Sequence, residues 1–82
     1  MTARERTAIV KAFQHGITKA RQSIQYWKSY ETACAAGDSI NAEIKQRQSD
    51  TDRGEAYGVA QTLALIGGSS EMVKAIYKEL GE

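Results

Sequence analysis

The chain contains no proline, one cysteine and one histidine among its 82 residues. A single cysteine cannot close a disulfide within one chain, and one His with one Cys excludes the usual structural zinc sets. Large apolar side chains are also scarce, because twelve of the residues behind the 41% hydrophobic figure are alanine. No run approaches the ~18 apolar residues that a membrane-spanning helix needs. The N-terminal MTARERTAIVKAF carries charges through its apolar stretch, which excludes the uninterrupted core of a signal peptide. These absences together predict a soluble, cytoplasmic chain with no membrane association. They exclude a multidomain enzyme, a disulfide scaffold and a zinc module. A domain this small buries only about 60% of its unfolded surface, so association is expected to supply part of the core.

Helical periodicity dominates what is present. Thr2-Ala-Arg-Glu5 has the form of a capping box. From Ile9, apolar residues recur through Phe13, Ile17, Ala20, Ile24 and Trp27 to Cys34 at spacings of three, four and seven. They fall within an arc of about 100°, which predicts one helix of roughly 50 Å with Trp27 and Cys34 in its buried stripe. Gly16 interrupts this stripe at a cost of about 1 kcal/mol relative to Ala without ending the helix. Gly37 is the expected stop, and Asp38 or Ser39 the expected cap of the next helix.

The second segment opens on Ile40 and Ile44, becomes polar over residues 45–54, and resumes with Ala56, Val59, Ala60, Leu63 and Ile66. The two apolar stretches point about 120° apart on a straight helix. Either the chain breaks near Ser49–Arg53, or one helix over 39–66 changes the neighbour it faces. The absence of proline favours the second. Gly54 and Gly58 form a small-residue strip suited to close approach of another helix. Gly67-Gly68 is the clearest break, and Ser69 or Ser70 then caps a last helix. Its face of Met72, Val73, Ile76, Tyr77 and Leu80 turns inward, and Glu71, Lys74 and Lys78 turn away. The predicted fold is all-α: a single domain over 1–82, made of a long helical hairpin with a short third C-terminal helix. Self-association is expected to complete it as a helical bundle, with a dimer favoured.

No catalytic or cofactor constellation is readable. His15 and Cys34 lie 19 residues apart on one predicted helix, about 28 Å of axial rise, too far for a Cys–His dyad. Asp50-x-Asp52-x-Gly54 places Gly54 at the fifth position of a calcium loop, where an oxygen donor is required. Gly67-Gly68-Ser69-Ser70 is either a glycine stop followed by a serine cap or an anion site at a helix start. The expectation is a non-enzymatic protein without metal or cofactor.

Charge is divided along the chain. Residues 1–36 carry six basic against two acidic side chains, net +4, and residues 37–82 carry five against eight, net −3. A basic helix beside an acidic one favours pairing within or between chains. Tyr26, Lys28 and Tyr30 on the flank of the first helix are the leading candidates for binding a protein partner, with Lys74 and Lys78 second, because interfaces favour aromatic anchors. Residues 59–80 resemble a helix-turn-helix, with Gly in the turn and spaced apolar residues beyond it. The alternative function is therefore a DNA-binding regulator. Arg53-Gly-Glu-Ala-Tyr-Gly58-Val-Ala-Gln-Thr-Leu-Ala-Leu-Ile66 resembles, in style, the small helical accessory proteins of bacteriophages. That resemblance implies a host or viral protein as partner and carries over no functional residue.

Overall fold

The computed structural model describes residues 2–82 and contains three helices: α1 (Ala3–Ala35), α2 (Ser39–Ile66) and α3 (Ser70–Glu79). Each begins and ends on a local signal. The Thr2 hydroxyl accepts from the Glu5 amide at 3.1 Å, which is the Thr2 half of the capping box. Asp38 caps α2 through the Asn41 amide, and Ser69 caps α3 through the Met72 amide. Gly37 and Gly67 follow α1 and α2 with φ of 73° and 90°, values that side chains beyond Gly strongly disfavour. Residues 45–54 are helical, so α2 runs unbroken for 28 residues.

The helices α1 and α2 form an antiparallel hairpin, and α3 folds back along α2 into one side of the groove between them. Its end is fixed at three points. The Arg21 Nε donates to Glu79 at 3.2 Å, the Tyr57 hydroxyl donates to Glu82 at 2.5 Å, and the Tyr57 and Tyr77 rings lie 5.7 Å apart. The core sits where all three helices meet: Ile9, Ala20, Ala56, Ala60, Leu63, Ile76 and Leu80, flanked by Phe13, Ile17, Val59 and Met72. Gly16 is buried there. A Cβ on it would lie 2.8 Å from Ile76 Cδ1 and 2.9 Å from Val59 Cγ1. The glycine expected merely to be tolerated is thus what lets three helices converge.

Beyond the end of α3 only two helices remain, and their interface is small and polar. Ser49 donates to the Ser23 carbonyl at 2.8 Å, and Ser23 donates to the Ala20 carbonyl at 2.7 Å, both buried. Ala33 and Ala42 complete it. The basic α1 pairs with the acidic remainder as the charge division requires: Lys19 lies 3.7 Å from Asp52 and 3.5 Å from Glu55. The molecule is a rod of 52 × 20 × 15 Å. Its radius of gyration is 15.0 Å, against about 12 Å for a globular chain of this length.

Candidate partner-binding surface

The groove that α3 enters continues past its last residues. Ile24 lies one turn beyond Arg21 on α1, and Asp50 lies about one turn before Arg53 on α2. With Ser23, Trp27 and Ser49 these residues line a cavity of about 240 Å³ that opens where α3 ends. Arg53 forms the boundary, since its guanidinium also reaches Glu82 at 3.9 Å and donates to Tyr57 at 3.2 Å. Trp27 projects into this space and remains 42% exposed. Its ring lies 4.8 Å from that of Tyr30, tilted by 40°. The groove then runs on to Tyr30, Cys34, Ala42 and Gln46 near the hairpin turn. Hydrogen bonding to the neighbouring Cys34 side chain raises the Tyr30 phenol above its ordinary value.

Two sequence expectations are corrected here. Trp27 and Cys34 were expected inside the apolar stripe, but Trp27 is half exposed and Cys34 exposed. The stripe is real, yet α3 spans only ten residues, about 15 Å, of a 33-residue α1. The remaining stripe has no third helix to cover it. Comparing those two predicted lengths was the signal that could have found Trp27.

The five residues chosen from the sequence do not form one surface. Tyr30 faces the α3 side of the hairpin with Trp27. Tyr26 faces the other side, where Lys45 Nζ stands 5.4 Å over its ring and Arg47, Gln48 and Thr51 lie nearby. Lys28 is exposed and borders a third depression, with Ser29, Thr32 and Asn41. Lys74 and Lys78 are exposed on α3, among whose neighbours Glu71 is exposed and Glu79 is engaged by Arg21. His15 lies on α1 beside Glu55, at 3.7 Å. Among the described residues no three His, Cys, Asp or Glu side chains gather to hold a metal ion, and no helix is long and apolar enough to cross a membrane.

A three-residue turn, Gly67–Ser69, joins α2 to α3. Gly68 packs against Leu63, where a Cβ would meet the Leu63 carbonyl at 3.0 Å, and the end of α3 returns to Tyr57. Comparison with protein-family models, curated proteins and solved structures found no match for this chain.

Proposed function

We propose that the protein is a non-enzymatic interaction module that self-associates and receives an apolar helix of a protein partner in the groove beyond α3. The observation that carries this reading is Trp27, a large aromatic side chain left 42% exposed beside Ile24 and Tyr30 in a groove that α3 already uses as a helix seat. Tryptophan and tyrosine set in partly desolvated pockets are the residues on which binding energy concentrates. From Ile24 to Ala35 the open groove offers about 18 Å, room for a helix of roughly twelve residues. Asp50 and Arg53 at its entrance can orient such a helix through charge. The resemblance of residues 53–66 to phage accessory proteins supports a protein partner of the same kind.

The test is capture of partners from the source cell by wild-type protein, Trp27→Ala, and a Lys74→Ala/Lys78→Ala pair. Loss with the first variant and retention with the second supports the groove. The reverse pattern moves the interface to α3. The runner-up, a DNA-binding regulator using residues 59–80, requires retention of DNA that falls steeply with salt. The exposed charges of α3 mix Glu71 with Lys74 and Lys78, which favours the protein partner.

A further inference from the structure

We propose that a second copy of this chain docks on the outer face of α2, antiparallel to the first, along a seam centred between Thr51 and Gly54. The inference rests on the self-association in the preceding reading and names its surface. The outer face begins with Ile40 and Ile44, 75% and 49% exposed, and ends with Leu65, 87% exposed. From Ile40 to Leu65 it follows alternating steps of four and three residues, the spacing of a coiled-coil seam. Between its apolar ends stand Arg47, Thr51, Gly54, Gly58 and Gln61, all exposed. A Cβ at Gly54 or Gly58 would meet nothing within 4 Å. The small-residue strip expected to admit a neighbouring helix therefore admits none within its own chain.

The seam matches itself in one direction. Turned antiparallel, Ile40 meets Leu65 of the second copy and Ile44 meets the aliphatic stem of Gln61. Arg47, the bulkiest residue of the centre, meets Gly58, and Thr51 meets Gly54. Large side chains oppose small ones at the centre, and apolar ones close both ends. Charge selects the same direction. In a parallel pair Arg47 would face Arg47, and Asp50 would face Glu55 twice by symmetry. The antiparallel pair sets Gln48 beside Glu55 and Asp50 beside Tyr57, with no like-charged pair along the seam. An unrelated partner would have no reason to share this two-fold match, whereas an isologous interface requires it.

Sedimentation equilibrium of the full chain tests the proposal. Wild type is expected to show concentration-dependent dimerisation, and Leu65→Glu, which disturbs two symmetry-related layers, to raise the dimer Kd at least about tenfold. Leu65 is so exposed that this variant keeps its fold, which circular dichroism checks. Val10→Glu, at an exposed apolar position on α1, and Trp27→Ala are expected to leave the Kd unchanged. Direction is read by disulfide trapping in a Cys34→Ala background. Chains with Ile44→Cys and chains with Gln61→Cys should cross-link when mixed, whereas Ile44→Cys alone should not. Self-cross-linking of Ile44→Cys chains would overturn the antiparallel seam. A dimer broken by Trp27→Ala but not by Leu65→Glu would overturn the seam while leaving self-association intact. A monomer at every concentration would overturn both, and partner capture through Trp27 would still be judged separately.

Discussion

The two halves of the rod are built from the same two helices but held together differently. Where α3 packs, Ile9, Leu63, Ile76 and Leu80 are buried, with Phe13, Ile17 and Met72 around them. Beyond it, the buried contacts are Ser23, Ser49, Ala33 and Ala42. Burying a Leu or Ile side chain is worth about 1.5–3 kcal/mol, and a single methyl roughly 0.8 kcal/mol. The first half therefore supplies most of the stability, and the second is carried largely by the continuity of α1 and α2. The open half is left with an exposed tryptophan on one side of the hairpin and two exposed isoleucines on the outer face of α2. The bulk of the stability and the groove beside Trp27 have been separated along the molecule.

The largest break in this comparison should come from Leu63→Ala, since Leu63 is fully buried at the meeting of the three helices. It is expected to cost about 2–5 kcal/mol, a large share of the ~5–15 kcal/mol available to a small domain. Urea denaturation monitored by circular dichroism measures it. If Leu63→Ala and Ala42→Gly cost the same, the assignment of stability to the three-helix half is wrong.

Hydrogen exchange reads the same contrast without a mutation. Amides in the middle of α1 and α2 beyond α3, around 26–32 and 42–48, should exchange faster than those around 12–19 and 57–64. The expected gap is at least about tenfold, because the open half can unfold locally while the core holds. Uniform protection along both helices would show a single cooperative unit.

How much of this was legible in the sequence depends on the range of the forces involved. Thr2, Asp38, Ser69, Gly37 and Gly67 act within one turn of chain, and the helix ends they predict are those observed. The unbroken α2 and the inward face of α3 were legible for the same reason. Which side a residue faces is a different matter. Trp27 and Cys34 share a stripe with Ile9 and Phe13, but whether the stripe is covered depends on where α3 stops. That end is fixed by contacts such as Arg21 with Glu79, 58 residues apart. Gly16 changes in meaning on the same account, and the Gly54/Gly58 pair finds no neighbouring helix within its own chain. The isolated glycine is packed by two other helices, while the patterned pair faces open space.

Gly16→Ala sharpens the point at intermediate size. Helix propensity alone gains about 1 kcal/mol. The new methyl, however, must displace the Ile76 terminus and the stiffer Val59 side chain, and overpacking of this kind costs about 1–3 kcal/mol. The net expectation is a lower Tm, whereas Gly54→Ala, with open space around it in its own chain, should raise the Tm at concentrations where the chain is monomeric. Equal gains at both sites would mean that α3 yields easily.

The smallest effect is expected from Ser49→Ala, and its smallness is informative. The hydroxyl donates across the hairpin to the Ser23 carbonyl at 2.8 Å. That carbonyl lies within α1 and keeps its place in the backbone ladder when the hydroxyl is removed, so no buried acceptor is orphaned. The lost bond is worth about 1 kcal/mol, and the higher helix propensity of alanine returns roughly half of it. A net change within about 0.5 kcal/mol by urea denaturation is the expected result. A loss several times larger would mean that the serine pair, rather than the continuity of the helices, holds the open half closed. Trp27 would then stand in a rigid seat instead of one that can widen around an incoming helix.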